Sequence, residues 1–201
     1  MRKKPRNTVL FACRCMCLVM LAMSCMLGEL YIYNMRDHSK FDFPDMSSYT
    51  VIFATSYGEL SMDLEAAVAC MLSAVMSPDC EPEAAKAMAV IIRTELMCRY
   101  NNSDNTEYKI FIEKNSFDKK YLTFSEQKQL YGEEYMENLA KYKEAALETA
   151  GLYMESVIIG EGLTKAQELS VSSIDETAKS GMNYEEILDL LFTNIAIEKI
   201  E

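Results

Sequence analysis

Two stretches of the chain repeat apolar residues every three to four positions, over residues 63–76 and 82–100. This spacing is typical of one face of an amphipathic helix. Ser61 or Asp63 can cap the first helix, and the second begins with a proline, which fits a first helical turn. Because residues 77–79 break the pattern, the two stretches predict an antiparallel helical hairpin.

Shorter apolar or alternating stretches, bounded by turn residues, predict strands. The predicted strands cover residues 50–54, 108–113 and 152–159, and we expect residues 195–197 to close a short sheet. The other predicted helices cover residues 123–150, with an interruption at Gly132 and an end at Gly151, then residues 165–179 and 184–192. The pattern predicts an α+β fold, in which a helical hairpin and further helices pack on a small, mostly antiparallel sheet, preceded by one N-terminal hydrophobic helix.

Hydropathy and charge set the N-terminal part of the chain apart. Residues 8–33 are hydrophobic, and residues 15–28 among them carry no charge. Since a spanning helix needs about 20 mostly apolar residues, we predict that this segment crosses a membrane while Arg14 reaches back to the cytoplasmic surface. Basic residues without acids precede it, which places the N-terminus in the cytoplasm and residues 36–201 on the other side.

The chain is therefore predicted to be membrane-anchored, with an extracytoplasmic C-terminal domain. Its predicted parts are a basic N-terminus with a transmembrane or signal-anchor segment (1–35), a tether (36–49) and one folded domain (50–201). Two alternatives to the spanning helix stay open. A cleaved signal peptide shares the basic start and short apolar core, and residues 21–25 loosely resemble a lipoprotein cleavage box.

The charge of the remaining chain argues against one class of partner. After residue 28 there are 15 basic and 31 acidic residues, a net charge of −16. Because phosphates are repelled by such a domain, we predict no nucleic-acid binding. His38 is the only histidine, which excludes histidine-dependent triads and multi-histidine zinc sites. Cys70, Cys80 and Cys98 are an odd set rather than a disulfide framework, and we predict no metal and no cofactor.

The sequences of the two hairpin helices are similar to those of a known family. LEAAVACMLSAVM over residues 64–76 and PEAAKAMAVIIRT over residues 82–94 resemble the sporulation stage II protein D and amidase-enhancer (SpoIID/LytB) family. That family reads approximately LEEYVAGVVAAEM and then PxEALKAQAVAARTY. Tyr131-Gly132, residues 145–151 (AALETAG) and residues 169–188 look like its later motifs, in the family's order. The resemblance identifies a divergent, truncated member.

The resemblance implies action on peptidoglycan, because the sporulation protein of this family is a lytic transglycosylase that cleaves glycan strands. Such cleavage needs a carboxylic acid that protonates the glycosidic oxygen. The family carries this glutamate in an Ala-Glu-Met triplet, and the triplet here is Ala74-Val75-Met76. Val75 cannot transfer a proton, so we predict no catalytic residue. The family's GHGVG element is also replaced, by residues 164–168.

Three residues are predicted to bind substrate. Arg93 and Ser170 match family motifs, and Glu65 lies in the same two-helix unit. A structural salt bridge is the favoured alternative for Arg93, and a capping or packing role is favoured for Ser170. A relocated proton donor is a further alternative, and its candidates are Glu65, Asp79, Glu81 and Glu83.

The predicted function is a wall-facing, non-catalytic module in cell-wall remodelling or sporulation. Its predicted partners are peptidoglycan glycan strands or a cell-wall hydrolase, with the membrane contacted through residues 8–33. One alternative is a weak lytic transglycosylase with a relocated acid, and another is a structural membrane adaptor. An open polar cleft beside Val75 and Arg93 favours binding, whereas a filled apolar one favours the adaptor.

Overall fold

The computed structural model describes residues 43, 46–55, 58–103, 107–112, 124–155, 171–192 and 195–200. The predictions for residues 8–33, for the tether up to residue 42 and for Ser170 lie outside these residues. Within the described ranges, no helix is both long and apolar enough to cross a membrane.

Three strands form the first sheet, in the order β2-β1-β3. Strand β1 (Thr50–Thr55) pairs antiparallel with β2 (Gly58–Asp63) and parallel with β3 (Lys109–Ile112). Because successive side chains of a strand point to opposite faces of the sheet, Val51 and Phe53 both face the core, where they are fully buried. Strands β1 and β3 were predicted, whereas β2 was not.

The predicted helical hairpin is confirmed. Helix α1 (Leu64–Val75) begins after Asp63, whose carboxylate accepts a hydrogen bond of 2.8 Å from the Glu65 amide. Helix α2 (Pro82–Asn101) begins with its proline in the first turn. Its residues from Ala84 to Cys98 are buried, apart from Lys86, so α2 is the central element of the core.

The helix that was predicted from residue 123 onward is interrupted at Gly132, as the sequence indicated. It consists of α3 (Phe124–Tyr131), a 3-10 turn (Gly132–Glu134) and α4 (Tyr135–Glu148). Gly132 has a φ of 58°, and Gly151, which follows α4, has a φ of 76°. Both values favour glycine because a Cβ atom is strained in the left-handed region.

A second sheet and two short helices complete the fold. Strand β4 (Leu152–Met154) pairs antiparallel with β5 (Ile197–Lys199), which confirms a short closing sheet two residues beyond the expected position. Helices α5 (Val171–Lys179) and α6 (Tyr184–Leu191) pack on α2. The described part of the chain therefore has the predicted mixture of helices and small sheets.

Candidate functional site

The end of α1 carries Val75, which the resemblance aligns with the family's glutamate. Val75 is the last residue of the helix, is partly buried and packs against the core. Met76 follows in an extended conformation, with φ −96° and ψ 147°, and is only 3% exposed. Val75 is thus held in place by the core, but its side chain has no ionisable group.

Three side chains from α3 and α4 hold the end of α1 and the turn that follows it. Tyr131 Oη donates to the Ser73 carbonyl at 2.6 Å, and Tyr142 Oη donates to the Met76 carbonyl at 3.1 Å. Lys141 Nζ donates to the carbonyls of Pro78, at 2.7 Å, and Cys80. The last carbonyls of a helix lack partners within the helix. Here Tyr131 supplies one to Ser73, and the other bonds go to carbonyls of the turn that follows α1.

Burial keeps both tyrosines in the state that donates. Loss of hydration raises the pKa of Tyr131 and of Tyr142 above the ordinary value of 10. Both phenols are therefore protonated at neutral pH. The hydrogen bonds at the end of α1 persist throughout the physiological range.

The acids nearest in sequence to this turn differ in their surroundings. Asp79 is exposed, and Glu81 is partly buried at the N-cap of α2. Glu83 accepts a hydrogen bond of 2.7 Å from Lys86 and one of 2.9 Å from the Tyr184 amide. Chiefly because Lys86 donates to it, the pKa of Glu83 lies below its ordinary value. A general acid needs the opposite shift, since it must keep its proton near neutral pH.

Glu65 and Arg93 form a buried ion pair, with 1% and 0% of their surfaces exposed. Arg93 Nε donates to Glu65 Oε1 at 3.0 Å, and Arg93 Nη2 donates to Glu65 Oε2 at 2.5 Å. This two-pronged geometry matches the planar guanidinium to the carboxylate. It places both residues inside the core, in the salt bridge that was the favoured alternative for Arg93.

The pair also holds the loop between α4 and β4. Arg93 donates to the carbonyls of Leu152, at 2.8 Å, and Ala146, at 3.2 Å. Glu65 Oε1 accepts from the Gly151 amide at 3.1 Å. Four parts of the fold, α1, α2, α4 and β4, therefore meet at one charge pair. The contact of Glu65, Arg93 and Ser170 with a substrate stays a prediction.

The three cysteines of the described domain are free and buried. Burial raises the pKa of Cys70 to about 12 and that of Cys98 to about 11, and it also raises the pKa of Cys80. Such thiols are poor nucleophiles because they are almost wholly protonated. Across the described ranges, no group of three His, Cys, Asp or Glu residues is placed to hold a metal ion.

Most of the contacts that hold the end of α1 have no signal in the sequence. Tyr131 had a signal, because Tyr131-Gly132 resembles a family element. Lys141 and Tyr142 had none, since on a helix they look like an ordinary pair of exposed and buried positions. Their contacts with carbonyls 61 to 66 positions away are set by tertiary packing.

Comparison with known families gives one match over this part of the chain. Residues 60–155 match the model described as "SpoIID: Stage II sporulation protein". The matched range begins within β2 and ends one residue after β4, so it contains the end of α1 and the buried ion pair. A search of curated proteins gives no match to the chain.

Proposed function

From the match of residues 60–155 to the SpoIID family model, we propose that this chain is a non-catalytic member of that family that binds peptidoglycan strands or a cell-wall hydrolase. The family indicates a role related to sporulation or the cell wall. The proposal adds that the module is held at the membrane by residues 8–33 and faces the wall.

The observation that carries the proposal is the end of α1. Tyr131, Tyr142 and Lys141 hold the backbone around Val75 through carbonyl contacts. The backbone at this position is therefore held in place, while an aliphatic side chain stands where the resemblance expects the proton donor. General acid-base groups contribute about 10² to 10⁴ in rate, so such a site turns over little. A held backbone without a proton donor supports binding over catalysis. Arg93 itself is buried in the core and is not part of an open cleft beside Val75.

The described acids give little support to a weak transglycosylase with a relocated proton donor. Glu65 is committed to Arg93, and Glu83 is committed to Lys86 and to the first amide of α6. An acid that takes over the role needs a raised pKa and a position next to the glycosidic oxygen. Glu83 has the opposite shift. The surroundings of these two acids favour the binding module.

The test uses the purified full-length chain and peptidoglycan sacculi. We expect the unaltered chain to co-sediment with sacculi and to release no anhydro-sugar muropeptides. The Val75→Glu variant restores a carboxyl group to the end of α1, and we expect it to release such products at a rate at least about 100-fold above the unaltered chain. Val75→Gln is the matched control, because it has nearly the same shape and polarity but cannot donate a proton.

Each outcome separates the candidate functions. Release of anhydro-sugar products by the unaltered chain would overturn the non-catalytic proposal in favour of a relocated acid. Absence of both release and co-sedimentation would leave two candidates. Capture of a purified hydrolase by the immobilised chain would then support the protein-binding form, and failure to capture it would support the membrane adaptor.

A further inference from the structure

Three tyrosines that are distant in sequence form a cluster at the far end of α2. The tyrosine cluster consists of Tyr49, Tyr100 and Tyr108. The Tyr49 ring lies edge-on to the Tyr100 ring, with centroids 4.9 Å apart, and edge-on to the Tyr108 ring at 5.3 Å. The rings of Tyr100 and Tyr108 are parallel within 8° at 6.3 Å. The three rings support one another, so the orientation of the outermost ring is fixed.

Tyr108 is held in an unusual backbone conformation. Its φ of 53° lies in the left-handed region, which bulky residues rarely adopt. The Thr50 amide donates to the Tyr108 carbonyl at 2.9 Å, just before β1 and β3 begin to pair. Although the ring packs in the cluster, 51% of Tyr108 is exposed. The fold thus leaves half of an aromatic residue in solvent at a strained position, a combination that points to a contact surface.

Two ion pairs lie close in sequence to these rings. Glu107 pairs with Lys109 at 2.6 Å, and Glu95 pairs with Arg99 at 3.6 Å. Each of these two acids is thus balanced by a neighbouring base. An uncharged ligand with many hydroxyl groups suits such a surface better than a cation does, and the net charge of the domain repels polyanions.

We propose that the tyrosine cluster binds a neutral saccharide, with one sugar ring stacked on the exposed face of Tyr108. The C–H groups on one face of a pyranose ring carry partial positive charge, and the face of an aromatic ring carries partial negative charge. Exposed amides of Asn101 and Asn102, at the end of α2, are available to bond sugar hydroxyl or acetamido groups.

This site is separate from the end of α1. Helix α2 lies between the two and has 20 residues, a length of about 30 Å. A single sugar cannot contact both places, whereas a polymeric strand can. The inference rests on the proposed function in one respect, because a wall glycan is the saccharide that a wall-facing domain would meet.

The test titrates the purified full-length chain with chitotetraose, a neutral β-1,4-linked N-acetylglucosamine tetramer, by calorimetry. Tyrosine emission gives a second readout, since the chain has no tryptophan. We expect Tyr108→Asn to bind about tenfold more weakly, which corresponds to one lost stacking contact. Asparagine tolerates the left-handed conformation, so the backbone is kept while the ring is removed.

Phe111→Ala is the matched control. Phe111 lies on the same strand, β3, is 54% exposed and is not part of the cluster. We expect it to change chitotetraose affinity by less than about twofold. Thermal unfolding of both variants shows whether each is folded, so a structural loss at Tyr108 is separated from a loss of binding.

The outcomes separate this inference from the proposed function. Equal affinity of Tyr108→Asn and the unaltered chain for chitotetraose would overturn the inference, and so would absence of chitotetraose binding. Binding of tetramethylammonium at the cluster in place of chitotetraose would also overturn it. If the unaltered chain still co-sediments with sacculi in any of these cases, the proposed function stands and the glycan is bound elsewhere.

Discussion

The Glu65 and Arg93 side chains lie where water cannot reach them, so each depends on the other. Breaking a buried ion pair by removing one partner leaves an uncompensated charge and costs about 3 to 5 kcal/mol. We therefore predict that Glu65→Gln lowers the free energy of unfolding by about that amount, measured by urea titration of the full-length chain.

Lys86→Met is the control for this measurement. Lys86 pairs with Glu83 and Glu148 on the partly exposed side of α2. Exposed ion pairs contribute roughly 0 to 1 kcal/mol, so this variant should lose much less stability. Equal losses in Glu65→Gln and Lys86→Met would contradict the view that the buried pair joins α1, α2, α4 and β4.

Both members of this pair were predictable as site residues from the sequence, but their pairing was not. Glu65 and Arg93 were selected because they lie in family motifs. The chain has 31 acidic residues, and which of them faces Arg93 depends on how α1 packs on α2. The spacing of apolar residues along a helix does not show which acid will face Arg93. The same limit hides the tyrosine cluster, whose members lie at the ends of three different elements.

At the scale of elements, two carboxylates join the start of α2 to the last helices. Glu83 accepts from the Tyr184 amide at the start of α6, and Asp175 of α5 accepts from the Glu81 amide at 2.8 Å. The Lys86 and Lys179 ammonium groups, each donating to its carboxylate, keep the pKa of Glu83 below 4.5 and that of Asp175 below 3.8.

These depressed pKa values predict a loss of stability in acid. A carboxylate with a lower pKa in the folded state stabilises the fold above its unfolded pKa, and this contribution disappears as the pH falls through the folded value. We therefore expect the unfolding free energy to fall below about pH 4.5, and to fall less steeply in Glu83→Gln/Asp175→Asn. Urea titrations between pH 7 and pH 2.5 measure both slopes.

The exposed acid Glu133, in the 3-10 turn, supplies the control for this experiment. Glu133→Gln should keep the acid slope of the unaltered chain. If the double variant at positions 83 and 175 also keeps it, then other carboxylates control the acid transition and these two contacts do not.

Most elements were predictable because their signals are local. Asp63, Pro82, Gly132 and Gly151 mark helix starts and interruptions through their own backbone preferences. Strand β2 was missed because its Ser61 and Asp63 were interpreted as caps, and Asp63 is in fact both the last residue of β2 and the cap of α1. Its strand character comes from pairing with β1, which is a tertiary contact.

At the scale of the whole molecule, the three buried thiols report on one shared core. Cys70 lies on α1, Cys98 lies on α2, and Cys80 lies in the turn between these helices. We predict that iodoacetamide alkylates each of them, at neutral pH, at less than about 1% of the rate of an unfolded control. Mass spectrometry of digested peptides separates them from the cysteines before residue 28.

Alkylation along a urea gradient then tests whether the core unfolds as a unit. Because α2 packs against α1, α4, α5 and α6, loss of any of these contacts exposes part of α2. The three thiols should therefore become reactive with one common midpoint, as expected for a cooperative domain of this size. Earlier reaction of Cys80 alone would show that the turn after Val75 opens independently. In that case the contacts of Tyr131, Tyr142 and Lys141 do not hold the end of α1. The binding proposal would then lose its supporting observation, because it depends on a backbone held in place around Val75.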